Sequence, residues 1–352
     1  MRIAFVEAIP YALPFREPYV TATGTLTRRE MVLLRLRSHD GLEGLGEAVP
    51  LSLRGGISLG QVVDELAQLS AHQALDEVSL SGAALGLSAP ARCAALTALL
   101  DLRGRRAALE TSETDGDTAP VRCNATIVVG DPASVVSSAE RWAADGFSTF
   151  KLKLGTGDDV AQVRAVREAL GPRARIRVDV NTAWDVETAK RTLGELEPYE
   201  IELVEQPVGT LEEAMEVARS TEIPIAGDES IESRGDAERA TAMEACRMTG
   251  VKLSKVGGPE AAIEIAEVLP AYLSSALDGP VGIAAAVQVA ATLSEAANGE
   301  GVDLAHGLAT QRLFSSTVAA VECELRGDML HPPPGPGLGV EIDEEALQAH
   351  RL

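Results

Sequence analysis

Residues 148–180 read STFKLKLGTGDDVAQVRAVREALGPRARIRVDV, with an apolar strand pattern at each end and an amphipathic helix pattern between them. This order is typical of a parallel strand–helix–strand unit. The pattern recurs along the chain, with candidate strands at 121–129, 148–154, 175–180, 199–205, 223–228, 249–254, 271–277 and 301–306. Strands alternating with helices in this number predict an α/β fold of the (β/α)8 TIM-barrel type. The rival is a doubly wound open sheet, but no G-x-G-x-x-G follows a strand to support it.

The chain before these units has a different pattern. Residues 1–50 read as strands, with an Asp40-Gly41 turn between two apolar runs, and residues 58–108 have helical periodicity. An acidic stretch at 109–119 reads as an exposed linker. We therefore predict an α+β domain over 1–118, the barrel over 119–320, and a C-terminal segment over 321–352 that returns to the first domain.

The composition narrows the possible partners and compartment. A formal net charge of −22 argues against nucleic acid or an anionic membrane as a partner, because both require basic patches. The sequence has neither an apolar run of about 18 residues nor a signal-peptide pattern, so we expect a cytoplasmic protein. The cysteines are widely scattered, which favours reduced thiols: Cys93, Cys123, Cys246 and Cys323.

Polar residues fall at the ends of consecutive predicted strands, where barrels of this type have their active sites. They are Lys151, Lys153, Asp179, Asn181, Glu205, Asp228 and Lys252. The two lysines at 151 and 153 share one strand face, where their charges repel unless anions lie nearby. The carboxylates are spaced by one strand–helix unit each, so we expect them to converge at one height.

Three converging carboxylates predict a site for a hard divalent cation, Mg²⁺ first and Mn²⁺ second. Lysines on both sides suit abstraction of a proton α to a carboxylate through a metal-stabilised enediolate. We expect Lys153 to be the base, with its pKa lowered by Lys151, which also contacts the substrate carboxylate. Taken singly, these residues have plainer interpretations, as a solvated lysine pair or as helix caps. Glu229 and Lys255 are expected to face away from the site and to serve the structure.

Several motifs at these positions resemble those of one family. They are FKLKLG, RVDVNTAW, LVEQPV, IAGDES and GVKLSKVGG, with GLGEAVP and GPGLGVEID in the flanking segments. Over nearly the whole chain the sequence resembles the enolase superfamily, in its muconate-lactonizing-enzyme-like subgroup. The resemblance implies a TIM barrel covered by an α+β capping domain. By position it implies Mg²⁺ ligands Asp179, Glu205 and Asp228, catalytic lysines Lys151, Lys153 and Lys252, and Asn181 as a residue that supports the ligands.

The subgroup contains several reactions on one template. The segments AHGLATQRLF and SSALDGPVGIAAAVQVA resemble those of o-succinylbenzoate synthases, which implies syn dehydration in the menaquinone pathway as the leading hypothesis. Dipeptide epimerases typically carry Asp-x-Asp in the eighth strand, whereas here Asp303 is followed by Ala305. N-succinylamino acid racemase or dipeptide epimerase activity is the alternative. A non-catalytic barrel that binds a carboxylate is the hypothesis from a different class.

Substrate contacts are expected from two capping loops and from the last two strands. The candidates are Arg16, Tyr19, Arg54, Ser275, Asp278 and His306. An arginine in either loop could meet a substrate carboxylate, although both arginines could equally be solvated. We expect the partner to be a small carboxylate and the protein to form a homo-oligomer.

Overall fold

The computed structural model describes residues 1–21, 24–51, 56–69, 76–111, 118–155, 158–297 and 304–352. The chain begins with an antiparallel sheet of β1 (Ile3–Thr21), β2 (Gly24–Ser38) and β3 (Glu43–Ala48), in that order. The predicted turn between β2 and β3 forms at Gly41, whose φ of 90° suits glycine. Helices α1 (Leu59–Leu69), α2 (Glu77–Ala84) and α3 (Ala89–Thr111) follow. We call β1–β3 and α1–α3 the N-terminal unit.

The sheet of the N-terminal unit is buried on both faces because its apolar residues alternate. Val32 and Leu34 flank Leu33 on β2, and both pack with the helices of the unit. Leu33 joins the core of the second half of the chain. Helix α3 lies close on β3, since a Cβ added to Gly46 would come within 1.9 Å of the Ala94 carbonyl oxygen. The glycines of the GLGEA segment therefore allow this close packing.

A short strand, β4 (Val121–Arg122), precedes the parallel sheet. The sheet strands lie side by side in chain order: β5 (Ala125–Ile127), β6 (Thr149–Lys153), β7 (Arg175–Asp179), β8 (Ile201–Glu205), β9 (Ile225–Gly227), β10 (Met248–Val251) and β11 (Ala271–Leu273). The connecting helices are α4 (Pro132–Ala144), α5 (Asp159–Leu170), α6 (Val186–Leu196), α7 (Leu211–Ala218), α8 (Arg234–Ala242), α9 (Leu253–Val256), α10 (Pro259–Ala266) and α11 (Pro280–Ala297). Asp131 and Asp185 accept hydrogen bonds from the first turns of α4 and α6 and so cap these helices.

The parallel sheet closes on itself at residues 306 and 307. His306 forms a parallel bridge to Cys123, just before β5, and Gly307 forms one to Ser274, just after β11. The Gly307 N–H donates to the Leu273 carbonyl oxygen at 2.7 Å. These contacts supply the eighth strand position, and the predicted (β/α)8-type fold is confirmed. The predicted eighth strand began at 301, and residues 301–303 lie outside the described ranges.

The C-terminal segment contains β12 (Ala319–Val321), β13 (Glu324–Arg326), β14 (Met329–His331), β15 (Glu341–Ile342) and α12 (Glu344–His350). It returns to the N-terminal unit, where the Leu352 N–H donates to the Pro10 carbonyl oxygen at 3.0 Å. The prediction of one strand over 121–129 is wrong in part. The chain changes partner after Cys123, so β4 pairs antiparallel with β14, whereas β5 joins the barrel.

The four cysteines are buried and free of disulfides. Burial raises the pKa of Cys93 and of Cys123 to about 12, so both thiols stay protonated near neutral pH. None of the helices within the described ranges combines the length and apolar character needed to cross a membrane.

The close approach of α3 and β3 gives a stability prediction. We expect Gly46→Ala to lower the free energy of unfolding by about 1–3 kcal/mol, because the added Cβ meets backbone atoms that cannot move aside easily. Urea denaturation measures this change. Gly60→Ala in α1 is the control, since its Cβ meets nothing within 4 Å, and it should leave stability unchanged or raised. Equal effects of the two variants would contradict the packing argument.

Candidate active site

The register of the parallel strands brings the predicted carboxylates together. Lys153 of β6 lies beside Asp179 of β7, and Asp179 lies beside Glu205 of β8. Glu205 pairs with Ala226 of β9, two residues before Asp228. Because side chains alternate along a strand, these acids point to the inside of the barrel. Asp179, Glu205 and Asp228 are all fully buried.

Lysines from both sides of the barrel contact these carboxylates. The Lys151 Nζ lies 2.7 and 2.8 Å from the Glu205 carboxylate oxygens and 2.9 Å from Asp179 Oδ2. The Lys153 Nζ lies 2.6 Å from the same Asp179 oxygen and 2.9 Å from Asn181 Oδ1. On the other side, Lys252 donates to Asp228. The structure therefore brings together all seven residues that the sequence placed at the strand ends.

The ion pairs set the pKa values in this cluster. Burial alone would lower the pKa of Lys151, but Asp179 and Glu205 raise it well above its ordinary value. Burial would likewise lower the pKa of Lys153, and Lys151 acts in the same direction, yet Asp179 outweighs both and the pKa is raised. Burial would raise the pKa of Asp179, but Lys151 and Lys153 hold it below its ordinary range. In this arrangement the expected lowering of the Lys153 pKa is absent, because the carboxylates lie closer than the expectation assumed.

Sequence reasoning missed three residues of the cluster. Lys255 was expected to face away, but its Nζ lies 3.0 Å from Asp228 Oδ1. The reason is that α9 begins directly after Lys252. Lys252 and Lys255 are three positions apart, which places them on one face of a helix, whereas on a strand they would face opposite ways. Glu229 was also expected to face away, and it accepts a hydrogen bond from Asn181 Nδ2 at 3.1 Å.

The third missed residue is Tyr272 of β11. Its ring is fully buried in the barrel, and its hydroxyl donates to Glu205 Oε2. The alternation of the predicted strand 271–277 is the signal that could have placed it on the inner face. Tyr272 therefore contacts the same Glu205 oxygen as Lys151.

The capping-loop candidates lie at the edge of the described structure. Arg16 is exposed and its Nε donates to the Arg312 carbonyl oxygen at 3.1 Å. Tyr19 stacks on Phe15, with ring centroids 5.5 Å apart. Arg16 and Tyr19 line one cavity of about 440 Å³. Arg54 lies outside the described residues.

The candidates from the last strands are buried, and they form hydrogen bonds with nearby residues. Ser275 Oγ donates to Asp278 Oδ2 at 2.8 Å, in the loop before α11. His306 Nδ1 accepts a hydrogen bond from the Leu273 N–H at 3.0 Å, so this nitrogen serves the barrel closure. Asp278 Oδ2 also accepts a hydrogen bond from the Ala276 N–H at 2.7 Å, and its Oδ1 accepts one from Ser254 Oγ at 3.3 Å.

The chemistry of the donor set fits a hard divalent cation. In the described parts of the chain, no three His, Cys, Asp or Glu side chains surround one point closely enough to hold a metal ion as they stand. The contacts give the reason, because lysine ammonium groups lie among the carboxylate oxygens. The set thus attracts positive charge, and carboxylate oxygens are the ligands that Mg²⁺ prefers. Asp179, Glu205 and Asp228 would hold a cation once the ammonium groups withdraw from them.

The sequence matches two family descriptions. Residues 134–346 match "Enolase C-terminal domain-like", and residues 5–113 match "Mandelate racemase / muconate lactonizing enzyme, N-terminal domain". The chain belongs to the enolase superfamily, in its muconate-lactonizing-enzyme-like branch, and is an enzyme of that superfamily.

Similar proteins in this branch have different activities. The o-succinylbenzoate synthase of Thermobifida fusca is 41% identical over 240 residues, which cover 66% of this chain and 70% of that protein. The muconate lactonizing enzyme of Pseudomonas fluorescens, solved with muconolactone, has a TM-score of 0.88 and 29% identity, with 99% of each chain covered. The dipeptide epimerase of Enterococcus faecalis, solved with Mg and L-Leu-L-Tyr, has a TM-score of 0.87 and 25% identity, covering 97% of this chain and 100% of that one. The similarity therefore leaves the particular reaction open.

The Tyr272–Glu205 contact gives a prediction for cation binding. We expect Tyr272→Phe to weaken Mn²⁺ binding by about 10-fold, because Glu205 loses a donor that fixes its carboxylate. Isothermal titration calorimetry measures the affinity. Tyr199→Phe is the matched control, since Tyr199 lies only partly buried after α6. Unchanged affinity in Tyr272→Phe would show that this hydroxyl does not orient the ligand.

Proposed function

We propose that this enzyme abstracts a proton from the carbon next to a carboxylate, with a divalent cation held by Asp179, Glu205 and Asp228. The observation that carries the proposal is the buried cluster itself, in which three acids on neighbouring strands meet lysines from both sides. A cluster this rich in charge is costly to bury, and it is expected where charge develops during a reaction.

We infer that the cation is Mg²⁺, with Mn²⁺ as the substitute. The donors are all carboxylate oxygens, and a structural relative was solved with Mg. When bound, the cation supplies positive charge to the substrate carboxylate as its α-carbon loses a proton. A carboxylate group on the substrate also explains why the site keeps more than one lysine.

The lysines have different surroundings and so receive different roles. Lys153 has the most exposed side chain of the four lysines, at 15%, and we assign it as the base. Lys151 is 6% exposed between Asp179 and Glu205, and we assign it to hold charge and to contact the substrate carboxylate. Lys252 lies at Asp228 on the other side and remains cationic beside the developing negative charge. A cation held by Asp179 would weaken the attraction between this carboxylate and the Lys153 ammonium, and so make Lys153 easier to deprotonate.

We infer that the reaction is the dehydration catalysed by o-succinylbenzoate synthases. Lys153 Nζ takes the α-proton, and the electrons of the broken C–H bond move toward the carboxylate. They then form the new C=C bond as hydroxide leaves from the neighbouring carbon, and the Lys153 ammonium returns its proton to make water. The 41% identity to the Thermobifida fusca enzyme supports this choice. The substrate is a hydroxylated cyclohexadiene carboxylate that bears a succinyl arm.

Epimerisation or racemisation of an acylated amino acid or dipeptide is the second candidate. The observation in its favour is that Lys153 and Lys252 approach different carboxylates, Asp179 and Asp228, and so lie on two sides of the cluster. Two bases on opposite faces of an α-carbon are what inversion requires. The dehydration needs only one base, Lys153, with Lys252 contributing its positive charge.

Removal of the assigned base tests catalysis by the barrel. We expect Lys153→Ala to lower kcat by about 10³-fold or more, because the variant lacks the side chain assigned to take the α-proton, while Mn²⁺ binding persists. The assay uses Mg²⁺ with the cyclohexadiene substrate, N-succinyl amino acids and dipeptides in parallel. Lys190→Ala, which removes a partly exposed lysine paired with Glu216, is the control and should match wild type. Turnover of none of these substrates by the wild-type enzyme would favour a non-catalytic carboxylate-binding barrel.

Substitution of Lys252 separates the two candidate reactions. Lys252→Arg keeps the positive charge but cannot accept a proton, whereas Lys252→Ala removes both. For dehydration we expect the arginine variant to lose about 10-fold and the alanine variant about 10³-fold in kcat. For epimerisation both variants should lose activity equally, and wild type in D₂O should return deuterated substrate without eliminating water. Proton NMR of the reaction mixtures reads both outcomes.

A further inference from the structure

Glu47 is the charged residue of the GLGEAVP motif, and the proposed reaction gives it no role. It lies on β3 with 2% of its surface exposed. Its Oε2 accepts a hydrogen bond from the Tyr11 hydroxyl at 2.8 Å, and its Oε1 accepts one from the Gly279 N–H at 2.6 Å. Tyr11 belongs to β1, and Gly279 immediately precedes α11. Glu47 therefore fastens the sheet of the N-terminal unit to the loop that follows barrel strand β11.

That loop, residues 274–279, is held in a strained shape. Leu277 has a φ of 67°, in the left-handed region that side chains other than glycine rarely adopt. Asp278 Oδ2 accepts hydrogen bonds from Ser275 Oγ at 2.8 Å and from the Ala276 N–H at 2.7 Å. Strain of this kind persists only where surrounding contacts enforce it. Glu47 is one contact that reaches the loop from the N-terminal unit.

The loop continues this connection into the catalytic cluster. Asp278 Oδ1 accepts a hydrogen bond from Ser254 Oγ at 3.3 Å. Ser254 lies in α9 between Lys252 and Lys255, and both of these lysines contact Asp228. Hydrogen bonds thus link β3 through the loop and α9 to the side of the active site where Lys252 follows β10.

We propose that Glu47 is a positioning residue, which acts through the 274–279 loop and Ser254 to fix Lys252 against the reacting centre. Through this loop, the packing of the N-terminal unit against the barrel affects the position of Lys252. The inference depends on the proposed function only for the role of Lys252.

The charge of Glu47 gives this link a pH dependence. Burial, followed by repulsion from Asp278, raises the pKa of Glu47 from about 4.5 to about 7, although Tyr11 and backbone N–H groups oppose the rise. The folded protein therefore holds this proton more tightly than the unfolded chain, so stability from Glu47 falls as the pH rises from about 4.5 to about 7. The titratable or charged groups around Glu47 and Asp278 are Tyr11 of β1, Arg29 of β2, Cys93 of α3 and, beyond Tyr11, Glu322.

Hydrogen–deuterium exchange measured by mass spectrometry tests the link without any substrate. In Glu47→Gln, which keeps the size but loses one acceptor, we expect exchange at least about 10-fold faster in peptides covering 275–282 and 252–258. Glu43→Gln is the matched control, a glutamate of the same strand whose ion pairs are with Arg35 and Arg37 of β2, and it should change neither peptide. Faster exchange in 275–282 alone would overturn the proposal, because the effect would stop before α9.

Kinetics supply the second test, with α-proton exchange into D₂O as the readout. We expect Glu47→Gln to lower kcat about 10-fold with KM changed less than about 2-fold, and to flatten the wild-type pH profile near pH 7. Ser254→Ala should lower kcat similarly, and the double variant should lose no more than the larger single effect. Additive losses would overturn the proposal, since the two residues would then act separately.

Tyr11→Phe covers the case in which Glu47→Gln fails to fold. It removes only the hydroxyl that donates to Glu47, and a smaller loss of kcat, about 3-fold, with faster exchange in both peptides supports the link. Normal exchange in both peptides would refute it. If wild type processes none of the substrates, the proposed function fails, and the exchange data still decide whether Glu47 holds α9.

Discussion

Asp179, Glu205 and Asp228 are fully buried side by side, where each has lost its hydration and feels the charge of the others. Such a cluster persists only if positive charge lies within it, and lysines from β6 and from the turn after β10 supply that charge. The barrel register is what makes this balance possible, because it sets acids of neighbouring strands at one height. A slip of one residue on β7 would turn Asp179 toward the helices and leave Lys151 and Lys153 facing an incomplete set. The fold and the site therefore depend on each other through electrostatics as much as through packing.

Much of this arrangement could be read from the sequence because it depends on two periodicities. Alternation along a strand places Lys151 and Lys153 on one face, and the regular strand–helix spacing brings acids distant in sequence to one end of the barrel. The same periodicities could not show where the strand at 121–129 changes partner, because an apolar run does not reveal whether its neighbour is parallel or antiparallel. They also placed Lys255 on the wrong face, because the pattern does not mark the residue at which a strand gives way to a helical turn.

Distances were the second limit of sequence reasoning. The sequence indicates that Lys153 has both a lysine and carboxylates nearby, but the sign of its pKa shift depends on which of them is nearer. In the structure Asp179 lies 2.6 Å from the Lys153 Nζ and prevails over Lys151. In the proposed reaction Lys153 is the base, and a raised pKa opposes proton acceptance, so that role requires weaker ion pairs than those seen here. Competition for the carboxylates between lysines and a cation provides a physical route for that change.

The Glu47 contacts suggest why one catalytic cluster serves enzymes with different activities. In the proposed reaction the groups that handle the proton lie on β6 to α9, and the loop after β11 and the N-terminal unit are separate from these elements in the chain. If these outer parts were independent of the cluster, a change in them would alter binding alone. The bonds from Glu47 to Gly279, and from Asp278 to Ser254, tie them to the same turn that carries Lys252. A change in the N-terminal unit can then alter both the fit of the substrate and the placement of a lysine, so binding and chemistry can change together.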